Sequence, residues 1–372
     1  MIDKKGVQKI AFCAPLKSPQ HPQPSGDRLL AQLLFKALQL AGFEVELVSN
    51  FRTRDAIGDL GRQRRMVRLG QRLAERQLRQ WRKKGYSPDL VFCYHSYYKA
   101  PDLIGFLIAE QLRIPYWIAE ASWAARRAHG PWGIYHQVLA RGLQLASGCT
   151  VLNPKDEPAL KTILPPRARL HRLPAFLDLD TLNKQWSPAA QTVAPENSPP
   201  KLVSVAMLRP GDKLHSLALL AHALWQVGQP FQLHIIGDGT ARQRARSLFI
   251  GLPVFFQGKL ERDELRKLVG SCDLMVWPAV NEAIGMALLE AQSCGVPVLA
   301  GREGGTASVV EHGQTGELVD KRDAQEFALA LQRLLEHPTI LSNYRKQTVE
   351  YVQSKHGMRS AAVSLRQAIN GQ

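Results

Sequence analysis

The sequence is poor in cysteine, in acidic residues and in long apolar runs, and each shortage excludes a class of protein. Its five cysteines are odd in number and widely spaced without a C-x-x-C pair, so neither a disulfide scaffold nor a redox motif is expected. We expect reduced, mostly buried thiols in a cytosolic protein. No stretch reaches the about 18 uninterrupted apolar residues of a membrane-spanning helix, and the first apolar run is too short for a secretory signal.

Acidic residues number 32 against 48 lysines and arginines, which gives the chain of 372 residues a formal net charge of +16. This surplus favours an anionic partner such as nucleic acid, an anionic membrane face or a phosphorylated substrate. It is uneven, because the segment from Arg52 to Lys84 holds 12 basic and three acidic residues. Aromatic residues make up only 7% of the chain and no nucleic-acid-binding module is recognisable, so no nucleic-acid partner is expected.

Short β-branched runs alternate with amphipathic helical patterns along the chain. The predicted strands cover residues 8–13, 44–49, 90–94, 116–119, 148–152 and 169–173, then 202–207, 232–236, 254–257, 273–277, 296–300 and 316–319. This alternation predicts an α/β fold with two doubly wound domains, each a parallel sheet with helices on both faces. Functional side chains should stand just after strands, because open parallel sheets bind ligands at the carboxyl ends of their strands.

A proline-rich stretch marks the expected domain boundary. Residues 184–200 include four prolines among small polar residues and have no hydrophobic periodicity, which is typical of a linker. We therefore expect a first domain over residues 1–183 and a second over residues 201–345. Residues 346–372 are expected as a helical tail of a kind that often packs back across the first domain.

The strongest motif runs strand, loop, helix and strand over residues 277–298. Glu282 lies in the loop, and Glu290 follows eight residues later, two turns into the helix. Between them lies the expected helix N-terminus, formed by Ala283, Ile284, Gly285 and Met286. Unpaired amides and the helix dipole favour an anion there, and a glycine lets a ligand approach the backbone. Taken alone, the two carboxylates would be a helix cap and a solvent-facing glutamate.

This segment resembles the E-x7-E signature of the retaining glycosyltransferases of family 4, the group 1 glycosyltransferases. The same resemblance extends over residues 202–335: a strand-Arg-loop-Lys element at residues 205–213, a G-D-G strand end at residues 237–239, and the glycine pair at residues 304–305. It is looser in the first half. The resemblance implies the GT-B fold, in which two Rossmann-like domains face each other across a cleft.

Four residues receive roles from this resemblance. Glu290 would hold the donor ribose, and Glu282 would lie near the donor sugar. Arg209 and Lys213 stand on a loop that leaves a strand, where they could offer a guanidinium fork and a point charge to a diphosphate. Because charge builds on the leaving phosphate, these cations would stabilise the transition state.

Three further donor-binding candidates are weaker. Gly26 opens a helix after the first strand, so its amide could face the donor phosphate or the acceptor, although a simple turn glycine is an equal alternative. Gly237 and Asp238 belong to the G-D-G turn, which is also an ordinary way for a strand to end.

Many members of the family carry a histidine after the fourth strand of the first domain, near the transferred sugar, and no histidine stands at that point here. Candidates to replace it on the acceptor side are His95, Glu120, Ser122 and His129. Each of these residue types is more often an ordinary loop residue. No metal or other cofactor is expected, because no cluster has metal-ligand spacing. The D-x-D pattern at Asp178 and Asp180 stands in the wrong place for a metal site.

The basic segment from Arg52 to Lys84 is predicted as a loop followed by an amphipathic helix. It could lie on an anionic membrane surface, or bind an anionic acceptor such as a phosphorylated glycolipid. It could also be an ordinary core-packed helix with a solvated basic face.

These observations favour a cytoplasmic enzyme that is peripheral at the inner face of the membrane. It would be a retaining, hexosyltransferase-type enzyme that moves a sugar from a nucleotide-diphosphate sugar to a glycan or glycolipid. The resemblance implies a role in lipopolysaccharide or other cell-surface polysaccharide synthesis. The alternatives are a nucleotide-sugar epimerase and a non-catalytic sugar-nucleotide-binding accessory protein on the same fold.

Overall fold

The structure is a computed structural model that describes residues 7–23, 25–183, 198–320 and 322–371. Most of the predicted linker, residues 184–197, therefore lies outside the described residues. The chain divides into two compact units. The first comprises Met1–Leu173 and Met358–Gln372, and the second comprises Pro174–Gly357.

The first unit is a six-stranded parallel sheet with helices between its strands. Its elements are β1 (Lys9–Cys13), α1 (Gly26–Leu40), β2 (Glu44–Leu47), α2 (Leu60–Lys84), β3 (Leu90–Tyr94), α3 (Gly105–Leu112), β4 (Tyr116–Ala119), α4 (Gly133–Leu145), β5 (Gly148–Val151), α5 (Glu157–Lys161) and β6 (Arg169–Arg172). The strand order is β2-β1-β3-β4-β5-β6. The direction of winding reverses between β1 and β3, so the crevice at their carboxyl ends is the expected binding position.

Three features explain why this unit folds as it does. Strands β3 and β4 are apolar at every position and fully buried, as expected for strands covered on both faces. Helix α1 begins after Ser25, whose hydroxyl caps it by accepting from the Arg28 amide at 3.2 Å. Gly70 lets helix α2 pack closely against Leu103. A side-chain carbon at this position would lie 2.5 Å from the Leu103 carbonyl oxygen.

The second unit is also a six-stranded parallel sheet. Its elements are α6 (Leu179–Asn183), β7 (Lys201–Val205), α7 (Asp212–Leu224), β8 (Gln232–Ile236), α8 (Arg242–Leu248), β9 (Val254–Gly258), α9 (Arg262–Gly270), β10 (Leu274–Trp277), α10 (Met286–Ser293), β11 (Val298–Gly301), β12 (Gly316–Val319), α11 (Ala324–Glu336) and α12 (Pro338–Lys355). The strand order is β12-β11-β10-β7-β8-β9. This is the Rossmann order, in which the winding reverses between β7 and β10.

The last helix of the chain, α13 (Met358–Asn370), returns to the first unit and packs against α1. Arg366 donates to the Ala41 carbonyl oxygen at 3.0 Å, and Arg169 donates to that of Ile369 at 3.0 Å. This part of the predicted tail therefore packs on the first unit as expected.

The units differ from the predicted domain boundaries at residues 183 and 345. The Leu177 amide donates to the His356 carbonyl oxygen at 2.8 Å, and the His356 ring is hydrogen-bonded to the Ala175 carbonyl oxygen at 2.5 Å. These bonds hold the end of α12 and the segment after Leu173 together in the second unit. The predicted tail is thus divided, because α12 stays with the second unit and only α13 joins the first.

The thiols agree with one further expectation. All five cysteines are buried and unpaired. Within the described residues, no helix combines the length and the apolar character that crossing a membrane requires.

Candidate active site

Lys213 and Glu282 meet at the point where the second sheet reverses its winding. Lys213 follows β7 and Glu282 follows β10, and the Lys213 ammonium donates to Glu282 Oε2 at 2.5 Å. The Trp277 indole N–H donates to the same oxygen at 3.0 Å, while the Lys213 nitrogen lies 5.2 Å from the centre of the Trp277 ring. Two predicted residues, brought from opposite sides of the switch point, therefore form one charged centre.

This ion pair is partly removed from water. The Lys213 and Glu282 side chains are 19% and 16% exposed. At that depth, solvent screens the attraction less than at the surface, and a lone charge would be costly to bury. Each charge therefore stabilises the other, and an incoming anion would compete with Glu282 for the Lys213 ammonium.

The loop that carries Glu282 has an unusual backbone. Ala279 and Asn281 adopt positive φ angles of 60° and 50°, a region that non-glycine residues seldom occupy. The Asn281 side chain holds the loop from two directions, since it donates to Asp212 at 3.0 Å and accepts from Arg322 at 2.9 Å. Strained backbone at a strand end is common at functional sites, where the surroundings fix it.

Gly304 and Gly305 support this loop from behind. The Gly305 amide donates to the Glu282 carbonyl oxygen at 3.2 Å. A side-chain carbon at Gly304 would lie 1.7 Å from that oxygen, and one at Gly305 would lie 2.5 Å from the Ala283 carbonyl oxygen. Only glycine fits at these two positions. The glycine pair singled out by the resemblance therefore allows close backbone packing against the loop that carries Glu282.

Helix α10 begins directly after this loop, with Gly285 in the left-handed conformation at its cap. Within the described part of the chain, the amides of Ala283, Ile284 and Gly285 have no hydrogen-bond acceptor. Unpaired amides at the start of a helix can bind an anion. The expected phosphate-facing segment thus stands beside the Lys213–Glu282 pair.

Glu290 belongs to α10 and lines a pocket between α9 and α10. The pocket is lined by Val205, Arg262, Leu265, Arg266, Val269, Ala287, Glu290, Ala291 and Cys294. Burial raises the pKa of the Glu290 carboxyl, and the positive charges of Arg262 and Arg266 oppose that effect. A half-buried carboxylate in a largely apolar pocket is suited to accept hydrogen bonds from ligand hydroxyls.

Arg209 is exposed on the loop after β7, and the G-D-G turn after β8 packs against that loop. The Leu208 amide donates to the Asp238 carbonyl oxygen at 3.0 Å. A side-chain carbon at Gly237 would lie 1.9 Å from the Ala206 carbonyl oxygen. Asp238 forms an exposed ion pair with Arg242 at 3.8 Å. Gly237 and Asp238 therefore position the Arg209 loop through close backbone contact.

A second polar cluster occupies the carboxyl ends of the first unit's strands. His95 follows β3 and lies 3.3 Å from Asp27, in the first turn of α1. Glu120 follows β4 and accepts from the Leu152 amide at 3.2 Å. Burial raises the pKa of Glu120 to about 7, against the opposing positive charge of His95. His95 and Glu120 also adopt positive φ angles, of 58° and 57°.

Ser122 joins this cluster through Asp156. Burial raises the pKa of the Asp156 carboxyl, and the neighbouring Ser122 hydroxyl and the positive charge of His95 oppose that effect. Gly26 stands at the start of α1, and a side-chain carbon there would touch nothing within 4 Å. Packing does not require a glycine at that position. His129 is exposed, and no contact in the described residues joins it to the cluster.

Three residues of these sites escape prediction from the sequence. Trp277 ends β10, Asp27 opens α1, and Asp156 follows β5. Trp277 and Asp156 stand at or shortly after the carboxyl end of a strand, the position where ligand-binding residues gather in parallel sheets, whereas Asp27 lies in the first turn of α1. A search of the strand ends for every polar side chain would have found Trp277 and Asp156 but not Asp27. Within the described residues, no group of His, Cys, Asp and Glu side chains is arranged to hold a metal ion.

Comparison with known proteins shows that the second unit is similar to one family. Residues 189–355 match the family model described as Glycosyl transferases group 1. Sulfoquinovosyl transferase SQD2 of Arabidopsis thaliana is 33% identical over 141 residues, which cover 36% of this chain and 27% of that protein. The matches span about a quarter to a third of the length of such curated relatives.

Solved structures resemble the chain over almost its whole length. Sucrose-phosphate synthase from Thermosynechococcus elongatus has a TM-score of 0.69 at 22% identity, covering 97% of this chain and 98% of that one. Anabaena HepE in complex with UDP has a TM-score of 0.69 at 16% identity, covering 98% and 100%. These likenesses confirm the predicted fold. The second unit is therefore similar to the group 1 glycosyltransferases, and the chain has the GT-B fold of two Rossmann-like domains.

Proposed function

We propose that this protein is a glycosyltransferase that moves a sugar from a nucleotide-diphosphate sugar to a glycan or glycolipid acceptor. The observation that carries the proposal is the Lys213–Glu282 pair at the switch point of a group 1 glycosyltransferase domain. HepE, which has the same fold, binds UDP. A nucleotide-sugar donor therefore fits the second unit, and the first unit would bind the acceptor.

The donor diphosphate would bind where positive groups converge. Lys213 would exchange Glu282 for the diphosphate, and Arg209 would add a second cation from its exposed loop. The free amides at the start of α10 would face the same group. When the bond from the anomeric carbon to the diphosphate oxygen breaks, the negative charge on the leaving group increases. Preorganised donors of this kind lower the barrier, and losing one typically costs about 10²–10³-fold in rate.

The two glutamates would contact the rest of the donor. Glu290, partly buried between α9 and α10, would accept hydrogen bonds from the ribose hydroxyls. Glu282, once released by Lys213, would remain hydrogen-bonded to Trp277 and lie beside the transferred sugar. The resemblance to family 4 supports retention at the anomeric carbon, and no step in this proposal requires a metal.

The basic helix α2 supports a glycolipid acceptor at an anionic membrane face. It holds ten lysines and arginines, and within the described residues none of them forms an ion pair with a carboxylate. Its buried face contains Gly70, Ala74, Leu78 and Trp81, so the apolar stripe packs into the first unit and the cations stay outside. A role in lipopolysaccharide or other cell-surface polysaccharide synthesis at the inner membrane face follows as part of the proposal.

Product analysis tests the reaction class. The purified protein is incubated with a panel of nucleotide-diphosphate sugars, with and without bacterial glycolipid extracts. We expect nucleoside diphosphate release that depends on the acceptor, with sugar incorporated into the glycolipid in the donor's anomeric configuration. Epimerised donor without transfer would favour the epimerase alternative. Tight donor binding with no turnover would favour a non-catalytic accessory protein.

A further inference from the structure

A cluster of aromatic rings and cations lies on the loops that follow β3 and β4 in the first unit. The Tyr98 and Trp132 rings meet edge to face, with centroids 5.4 Å apart. The Lys99 ammonium lies 4.9 Å from the Trp132 ring centre, and the Arg127 guanidinium lies 5.0 Å from that of Tyr98. Both cations also lie within 6.0 Å of the other ring. We call these four residues the aromatic–cationic cluster.

The positive charge of this cluster is not neutralised. Among the described residues, neither Lys99 nor Arg127 forms an ion pair with a carboxylate. An aromatic face holds a cation in place without cancelling its charge. The Asp55 carboxylate is engaged elsewhere, because it accepts from the amides of Ile57, Gly58 and Asp59 and from the Gln63 side chain.

The cluster is also held rigidly. The Trp132 indole N–H donates to the Asp55 carbonyl oxygen at 3.0 Å, and the Asp55 amide donates to the Lys99 carbonyl oxygen at 2.8 Å. Arg54, the exposed neighbour of Asp55, lies beside the Tyr97 side chain, and its positive charge opposes the effect of burial, which raises the pKa of Tyr97. These two hydrogen bonds join three separate loops and fix the Trp132 ring before any ligand binds, which lowers the entropy cost of binding.

Rings and cations together define a ligand class. Aromatic faces pack against the apolar face of a sugar ring, and fixed ammonium and guanidinium groups bind phosphate or carboxylate groups. The cluster adjoins the basic helix, because Arg62 of α2 donates to the Arg54 carbonyl oxygen at 3.4 Å and Gln63 donates to that of Pro131 at 2.8 Å. An acceptor that enters along α2 would meet the cluster at the N-terminal end of that helix.

We propose that the aromatic–cationic cluster binds the anionic sugar of the acceptor, a hexose that carries a phosphate or a carboxylate group. This inference rests on the proposed function and adds the chemical class of the acceptor. Tyr98 and Trp132 contact the sugar ring, and Lys99 and Arg127 bind its anionic substituent.

Ligand-observed NMR titration tests this proposal, with glucose 6-phosphate, glucuronate and glucose as probes. A nucleoside diphosphate is present at saturation, so that the second unit's anion site is occupied. We expect at least one anionic sugar to bind at least tenfold more tightly than glucose. Lys99→Gln combined with Arg127→Gln should remove that preference, and Trp132→Leu should weaken binding of every sugar.

The matched control is Arg76→Gln combined with Arg79→Gln on α2, which removes the same charge and should retain the preference. Equal binding of charged and neutral sugars, no binding of any probe, or the same loss in the control would overturn the proposal. Nucleoside diphosphate binding is measured in the same samples. If it persists while the sugars fail to bind, the acceptor inference fails and the proposed function stands.

Discussion

At the scale of single residues, Trp277 orients the carboxylate of Glu282. Its N–H group donates to Glu282, and its ring lies under the ammonium that pairs with the same oxygen. One side chain thus orients both members of the charged centre. The motif predicted Glu282 and Lys213 as separate residues, and nothing in the spacing of 69 residues indicated that they touch. Contacts across a switch point depend on strand order, which a sequence pattern does not contain.

Glu120 provides a prediction at the residue scale. Burial raises the pKa of its carboxyl from 4.5 to about 7, so the folded protein keeps a proton that the unfolded chain releases. The free energy of unfolding therefore falls as the pH rises from about 4.5 to about 7. Glu120→Gln retains an oxygen for the Leu152 amide and cannot titrate. We predict that the free energy of unfolding of this variant does not show that fall. Relative to the unmodified protein, its free energy of unfolding should rise by about 1–3 kcal/mol between pH 4.5 and pH 8.

Urea unfolding at several pH values measures this difference. Asp59→Asn is a suitable control, because it replaces an exposed carboxylate of the same unit. Parallel stability curves for Glu120→Gln and the unmodified protein would contradict the assigned protonation of Glu120.

At the scale of elements, the regular parts of the fold follow from local sequence and the loops do not. Every predicted strand is present within two residues at each end, because buried parallel strands are short apolar runs between turn signals. The five-residue helices α5 and α6 were not predicted, since so few residues show no periodicity. The positive φ angle at Ala279 also escapes prediction, because alanine does not favour it and the surrounding structure must impose it.

Gly304 provides a prediction at this scale. Gly304→Ala would place a carbon 1.7 Å from the Glu282 carbonyl oxygen, so the loop that carries Glu282 must move. Gly313 has a similar positive φ angle and open space around it, which makes Gly313→Ala a matched control for backbone strain alone. We predict that Gly313→Ala costs about 1 kcal/mol of stability and that Gly304→Ala costs at least about 2 kcal/mol more.

Thermal unfolding compares the two alanine variants, and a nucleoside diphosphate titration follows. Gly304→Ala should also weaken that binding, whereas Gly313→Ala should leave it unchanged. Equal effects of the two substitutions would show that the Gly304 contact does not hold the loop.

At the scale of the whole molecule, the net charge of +16 separates into distinct surfaces. The donor site proposed for the second unit would use only a few cations around Lys213, whereas α2 alone carries ten lysines and arginines. The chain also crosses between the units twice, since α13 completes the first unit after the second has ended. The sequence indicated the two sheets and the tail, while the division of that tail between α12 and α13 depends on contacts at Ala175 and Ala41.

The basic surface of α2 leads to a prediction about membranes. We expect the protein to bind vesicles containing anionic phospholipid at low salt and to dissociate as the ionic strength rises. Arg68→Gln, Arg72→Gln and Arg79→Gln combined should weaken this binding at least tenfold, as about 1 kcal/mol is expected for each cation near the surface. Vesicle co-sedimentation gives the measurement. The control combines Arg244→Gln, Lys267→Gln and Lys346→Gln in the second unit, and an equal loss there would refute a specific role for α2.

The central claim is that Lys213 leaves Glu282 to bind the donor diphosphate. Calorimetric titration with nucleoside diphosphates tests this claim most directly. The tightest-binding member of a panel that includes UDP is titrated into the unmodified protein and three variants. We predict that Lys213→Met raises the Kd at least tenfold, about 1.4 kcal/mol, and that Lys267→Met leaves it unchanged. Glu282→Gln should lower the Kd, because it frees the Lys213 ammonium. Unchanged binding by Lys213→Met, or weaker binding by Glu282→Gln, would contradict the account.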